Sequence, residues 1–283
     1  LNAAGAKSTV GQSAALTASA LELLGDNATH KLTDTDNSVS TLAAKTQALS
    51  YTNSQALTVG DVNSTSGINT TSNTSLTTKA GDLTLKKAIN GNTGTVNLDA
   101  AAAVIRDASL TTDNITAQTL NIKAGSNIGN SAIRIKTKVT NLSMDSTGNQ
   151  YVTEADAVTV SAHATTGNIE IETTNGTLTV GNPNGVTGIT ADNGNISLTG
   201  TNAGTTGHGI DIAQAITAEQ GTVTLNGKTN SILTEAGIFN HSTVKGADID
   251  LTAESTNNSS TALGYYGAGG SLQASNTLKI KGI

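Results

Sequence analysis

The stretch Ile169-Glu-Ile-Glu-Thr-Thr-Asn-Gly-Thr-Leu-Thr-Val180 decides the fold. It holds two short runs that alternate apolar and polar residues, Ile169-Glu-Ile171 and Leu178-Thr-Val180, on either side of Thr174-Asn-Gly176. Alternation with a period of two and β-branched residues marks half-buried strands, and Asn-Gly supplies the positive φ that a sharp turn requires. The same triplet recurs upstream as Leu57-Thr-Val59, Leu83-Thr-Leu85, Val96-Asn-Leu98, Leu120-Asn-Ile122, Leu142-Ser-Met144 and Val158-Thr-Val160. Downstream it returns as Ile196-Ser-Leu198, Val223-Thr-Leu225, Ile249-Asp-Leu251 and Leu278-Lys-Ile280. Turn-forming clusters such as Gly91-Asn-Thr-Gly94, Asp192-Asn-Gly-Asn195 and Gln220-Gly221 fall between the triplets.

The intervals scatter around roughly twenty to twenty-five residues, with shorter steps between 83 and 96 and between 158 and 180, about one coil of a three-faced β-solenoid. A sandwich would reverse direction at tight hairpins and fill its inner faces with aromatic rings, whereas here one strand type returns after a whole circuit. The pattern therefore predicts an all-β chain folded as a parallel β-helix of roughly ten coils, a rod on the order of 50 Å long at about 4.8 Å per coil. Stacking sets like above like, so ladders of Asn, Thr and Val are expected along the axis.

Composition agrees. Only 13% of the 283 residues are charged and 2% are aromatic, with one Phe, one Met and no Trp. A conventional globule draws much of its buried area from large rings, but a solenoid core is thin and is filled by Val, Ile, Leu, Ala and Thr. Recurrent β-branched residues argue against disorder. A net charge of −6 with scattered Lys and Arg gives no basic patch, so neither nucleic acid nor an anionic membrane surface is an expected partner. The apolar runs are too short to span a bilayer, and the absence of Cys removes disulfides and thiol chemistry. The chain opens at Leu1 without Met or a signal-peptide pattern and reads as a processed or truncated piece, with targeting information outside it. With no linker or shift in composition, residues 1–283 are expected to form one solenoid segment, least clearly patterned over 1–40. The best helix candidate, Ala15 to Leu24 with Gly25 placed as a C-cap, competes with a further strand or loop of the solenoid, and the strand or loop is preferred.

Few residues invite chemistry. The histidines His30, His163, His208 and His241 lie far apart in sequence, with Asp34 near His30 and Asp211 near His208 as lone companions, so no metal site is expected. Paired carboxylates of the kind that cleave polysaccharides are available as Asp34 with Asp36, Asp107 with Asp113, Glu154 with Asp156, Glu170 with Glu172, and Asp248 with Asp250. The strand pattern puts Glu170 and Glu172 on one water-facing side, and Asp248 and Asp250 likewise. The preferred reading of all five pairs is outer-face charge that keeps the molecule soluble. Asp34-Thr-Asp36-Asn37-Ser38 carries oxygens at alternate positions but lacks the Gly and closing Glu of an EF-hand loop, so a polar turn is expected. A flat Thr ladder for ice binding is disfavoured by the irregular coil length. Tyr265-Tyr266, within a Gly-rich segment, is either an exposed contact patch or the filling of an irregular coil, the latter preferred. No residue is assigned a catalytic, cofactor-binding or metal role, and no cofactor is expected.

The strings Ala48-Leu-Ser-Tyr-Thr-Asn-Ser-Gln-Ala-Leu-Thr-Val-Gly-Asp-Val-Asn63, Ser66-Gly-Ile-Asn-Thr-Thr71, Ser75-Leu-Thr-Thr-Lys-Ala-Gly-Asp-Leu-Thr-Leu85 and Gly94-Thr-Val-Asn-Leu-Asp-Ala-Ala-Ala102 resemble repeats of filamentous haemagglutinin-like proteins. The resemblance runs over roughly residues 40–283. It implies a right-handed β-helix on a secreted or bacterial cell-surface protein, exported by two-partner secretion through an outer-membrane transporter. A role in adhesion or biofilm formation, with a host-cell or matrix receptor, is also implied. Asn182-Pro-Asn-Gly-Val186 is similar to the family's Asn-Pro-Asn-Gly-Ile secretion motif, but it sits deep in the repeats and is read as a turn. The resulting expectation is a structural or adhesive shaft and no enzyme. A polysaccharide-acting β-helix, with Glu170, Glu172, Asp248 and Asp250 as its acids, is the first alternative, and a self-assembling sheath or matrix subunit is the second.

Overall fold

The computed structural model describes residues 1–3, 7–185, 187–257 and 263–283. The chain is an all-β parallel β-solenoid of about 11 turns. It divides into two compact units, Leu1–Val139 and Thr140–Ile283, with the boundary inside the strand Ile135–Ser146. Of the helix candidate Ala15 to Leu24, all but its first two residues lie in the strand Thr17–Leu32, paired in parallel with Ser38–Asn53. The only helix-like segment among the described residues is the short turn Pro183–Gly185, whose central residue Asn184 is left-handed.

In the first unit three rows of strands stack. Leu57–Val59, Leu83–Leu85 and Val104–Arg106 form one row, with Ile128 bridged to Val104 at its end. Thr74–Thr78, Thr95–Ala100 and the second half of Ile115–Ala124 form another, and Ile68–Thr70, Ile89–Asn90 and the start of Ile115–Ala124 form the third. The second unit repeats the scheme. Its first row runs through Gln150–Glu154, Ile169–Thr173 and Ile196–Asn202 into the later halves of Ile216–Thr229, Thr243–Ser255 and Ser271–Gly282. Its second row is Leu178–Val180, Ile210–Ile212, Ala236–Asn240 and Leu263–Gly267.

Every triplet quoted above lies within a strand. The register, however, corrects the interval reading. Leu83 and Val96 occupy two rows of one coil, as do Ile169 and Leu178, so the short steps measure the distance between faces and not a shorter coil. Coil length varies: hydrogen-bonded partners on successive coils lie 18 residues apart at the buried Ser143 and Ser161, and 31 apart where the Thr177 hydroxyl donates to the His208 carbonyl.

Alternation drives the packing. Leu57, Leu83, Val104 and Ile128 point inward and are at most 1% exposed, as are Ile169, Ile196, Val223 and Ile249. Each such side chain contributes on the order of 2 kcal/mol through removal of its surface from water. Corner polarity is settled by asparagine. The Oδ1 of Asn149 accepts the backbone N–H of Asn168, that of Asn168 accepts Asn195, and that of Asn195 accepts Thr222, each at 2.8 Å, a ladder climbing coil by coil.

One local construction occurs in both units. Leu57-Thr-Val-Gly60 and Leu178-Thr-Val-Gly181 each lead into an excursion that returns at Gly67-Ile68 or Gly188-Ile189. The Gly67 N–H donates to the Gly60 carbonyl and the Gly188 N–H to the Gly181 carbonyl, both at 2.9 Å, and Ile68 and Ile189 then bond the Ala88 and Ala215 carbonyls of the next coil. The first excursion is a small antiparallel hairpin, Asp61–Val62 with Thr65–Ser66; the second is the turn Pro183–Gly185, where Asn184 has φ 57. The Asn182-Pro-Asn-Gly motif is thus a corner loop; its last residue, Val186, lies outside the described residues.

Candidate functional site

The predicted acids do not assemble into one site. Glu170 and Glu172 point outward from Ile169–Thr173, and Asp248 and Asp250 outward from Thr243–Ser255. The register runs Glu170, Ser197, Thr224, Asp250, so three strand spacings, about 14 Å, separate the pairs. That exceeds the roughly 5 to 9.5 Å between working carboxyls of glycosidases, so no acid of one pair can act with an acid of the other. The Thr153 hydroxyl donates to Glu172 at 2.6 Å, which ties that carboxylate to the preceding coil. Asp248 and Asp250 border a shallow hollow of about 350 Å³ with Thr222, Thr277 and Lys279.

Other expectations shift. Glu154 is fully buried and accepts the Ala155 N–H at 3.0 Å, so it is not an outer-face charge. The Ser109 hydroxyl and N–H bond Asp107 and hold its carboxyl below the usual range. In the Asp34 to Ser38 loop, Asp34 closes a turn on the Asp36 N–H at 3.0 Å. Asn37 is buried, its Nδ2 donating to the Leu32 and Thr52 carbonyls and its Oδ1 accepting the Leu16 N–H and the Gln12 side-chain amide, both at 2.8 Å, so its oxygen is already engaged.

Each histidine takes a distinct environment. His30 is buried, with Nε2 3.2 Å from the Leu24 carbonyl, and burial lowers its pKa. His163 bridges three coils, with Nδ1 2.9 Å from Asp145 and Nε2 3.1 Å from Asp192. Burial opposes its charging, yet the hydrogen bonds to both carboxylates hold its pKa above the ordinary imidazole value. A neutral ring has one N–H and can donate to only one of the two; the imidazolium donates to both.

His208 and His241, distant in sequence, meet through Phe239. The Phe239 ring stacks on His208 (centroids 4.6 Å, planes at 11°) and on Tyr266 (5.5 Å, 23°), and His241 tilts against it at 5.0 Å. Phe239 and Tyr266 are register partners on the second row, one coil apart, and Asp211 of the strand Ile210–Ile212 pairs with Phe239 on its other side. Asp211 accordingly bonds His241 Nε2 at 2.9 Å, and is not the companion of His208 that proximity in sequence suggests. His208 Nδ1 accepts the Ala236 N–H at 3.0 Å, which leaves its other nitrogen to carry the proton. The Tyr265-Tyr266 pair divides between its two readings. Tyr265 occupies the inward column below Ile238 and its hydroxyl accepts from Asn240, while Tyr266 stands outside, 48% exposed.

This row of rings and imidazoles is a feature that reading the triplets missed. Its signal is the alignment of Ile210-Asp-Ile212, Ile238-Phe-Asn240 and Tyr265-Tyr-Gly267 as equivalent strands of successive coils. Among the described residues, no group of three or more His, Asp or Glu stands where it could hold a metal ion. What fold and surface define is a parallel β-solenoid with a polar exterior and one ring-lined patch in its second unit. No protein-family model, curated protein or solved structure matches the chain.

Proposed function

We propose that the chain is the structural and adhesive shaft of a secreted bacterial surface protein, filamentous haemagglutinin-like in construction, acting in attachment or biofilm formation. Export through a partner outer-membrane transporter and engagement of a host-cell or matrix receptor belong to the same proposal. The observation that carries it is how the outer-face groups are used. Asn121 bonds Asn97, Thr153 bonds Glu172, Lys228 bonds Glu254, Lys245 bonds Glu219 and His163 joins Asp145 to Asp192. Charged and polar side chains are spent on neighbouring coils, and the two predicted acid pairs lie three strand spacings apart. Such a surface suits repetition and contact over length better than turnover.

A second reading, a polysaccharide-acting enzyme, draws on the hollow that Asp248 and Asp250 share with Lys279. Particles coated with the chain should adhere to cell layers or plastic more strongly than particles coated with an unrelated β-rich protein, and a panel of bacterial and plant polysaccharides should remain intact. Reproducible cleavage that disappears in Asp248→Ala with Asp250→Ala, or in Glu170→Ala with Glu172→Ala, would replace the shaft by the enzyme.

A further inference from the structure

We propose that the hairpin Asp61–Ser66 is a strap closed over the outer side of the two preceding coils and clasped by the Glu22 carboxylate, so that acid opens it. Its place in the fold follows from the register. Leu42 pairs with Val59 and Ala44 with Ile68, so opposite the single residue Ala43 the next coil carries the eight residues Gly60 to Gly67. In the second unit Val160 pairs with Val180 and Ala162 with Ile189, and Gly181 to Gly188 stand opposite Ser161 in the same way. Surplus residues have no partner in the ladder and leave the sheet.

Both excursions fold back over the coils before them. Ala43 lies between the inward residues Leu42 and Ala44 and so faces out, yet it is fully buried, and Ser161 in the equivalent position is fully buried too. Each excursion buries one apolar residue of its own, Val62 in the first and Pro183 in the second. The cover reaches one coil further back. Ser143, the register partner of Ser161, is buried, and Glu22, the register partner of Ala43, bonds the hairpin directly.

The clasp of the first strap is ionic. The Thr65 hydroxyl donates to Glu22 Oε1 at 2.7 Å and the Asn63 amide to Oε2 at 2.9 Å, and Lys87 of the following coil meets Asp61 at 3.0 Å. The bonds from Thr65 and Asn63 hold the Glu22 carboxyl below the usual range, and those from Ser66 and Lys87 do the same for Asp61. A carboxylate held this way favours closure above its ordinary pKa, and the contribution is lost as pH falls through the lowered one. Once protonated, Glu22 presents an O–H where an acceptor stood and gives up its charge-assisted bonds. The other charged groups around the strap have their own partners: the Leu1 amine donates to the Glu22 carbonyl, Lys45 pairs with Asp26 and Lys86 acts on Asp107. His30, on the same strand as Glu22, is buried in the core. Opening bares Val62 and Ala43, an apolar patch on a polar exterior, while the rows of strands stay paired. The device does not depend on the shaft reading.

The chain has no Cys, so a single introduced thiol reports the strap. Val62→Cys places it in the strap, and Val59→Cys places it in the core of the same coil as a control. Labelling by 4,4′-dithiodipyridine, which reacts in acid, is compared at neutral pH and about one unit below the ordinary carboxylate pKa, scaled at each pH to free cysteine. Val62→Cys should label threefold or more faster in acid while Val59→Cys stays protected. Adding Glu22→Gln should raise labelling of Val62→Cys threefold or more at neutral pH and flatten most of the acid response. Hydrogen exchange of the unsubstituted chain repeats the test without a thiol: residues 61–66 should lose protection in acid while residues 57–59 keep theirs. Protection of the strap that is equal at both pH values, or an acid response that Glu22→Gln leaves unchanged, overturns the proposal. So does loss of protection at Val59 in step with Val62, since the whole coil would then be melting.

Discussion

At the scale of the residue, two histidines give the molecule opposed responses to pH. His163 has a raised pKa in the folded state, so its contribution is fully present below the unfolded value near 6.5 and fades as pH rises through the higher folded value. The bridge is partly exposed, at 40% for His163, and its worth is limited to at most about 1 kcal/mol. His30 has a lowered folded pKa because it is buried, so its neutral form is favoured above the unfolded value and stability falls as pH drops from there towards the folded value. Thermal melts across pH 5 to 8 should therefore show His163→Gln losing stability at the acid end relative to the parent, and His30→Leu gaining relative acid resistance. Neither role was legible in the sequence. Asp145 and Asp192 reach His163 only because successive coils place them there, and spacing along the chain gives no hint of that.

At the scale of the element, alternation was legible and its consequences were not all. The triplets located strands and inward residues because the period-two pattern is dictated by burial of one side. They could not assign a strand to a face, since Leu83-Thr-Leu85 and Val96-Asn-Leu98 look alike yet occupy different rows. Burial within one column separates two equivalent positions: Leu251 is fully buried whereas its register partner Ile280 is 50% exposed. Leu251→Ala should cost about 2 to 5 kcal/mol by chemical denaturation, and Ile280→Ala a minor fraction of that. The corner loops make a parallel contrast. Gly67 has φ +67 and an added Cβ would stand 2.3 Å from the Ala88 carbonyl oxygen, while Gly185 has φ +79 and open space around it. Gly185→Ala should cost about 1 to 2 kcal/mol of backbone strain, and Gly67→Ala clearly more, because the neighbouring coil has to move.

At the scale of the whole molecule, each unit owes its order to the register in which coils lie on one another. Side chains such as Asn149, Asn168 and Asn195 act only because each meets its counterpart one coil away. The repeat implied stacking, but the variable coil length hid which residues meet, and the ring row of Phe239 and Tyr266 stayed invisible for the same reason. The chain has no Cys, so introduced pairs report register without interference. Ser197→Cys with Thr224→Cys joins direct partners on the outer face, whereas Ser197→Cys with Asn226→Cys is displaced by two residues along the strand. Parallel neighbours lie about 4.8 Å apart, within the span a disulfide bridges, and the displaced pair lies beyond it. Under mild oxidation, disulfide formation should be rapid and complete for the first pair and slow or absent for the second. Equal rates for the two pairs, or faster closure of the displaced one, would contradict the stacking on which the whole account rests.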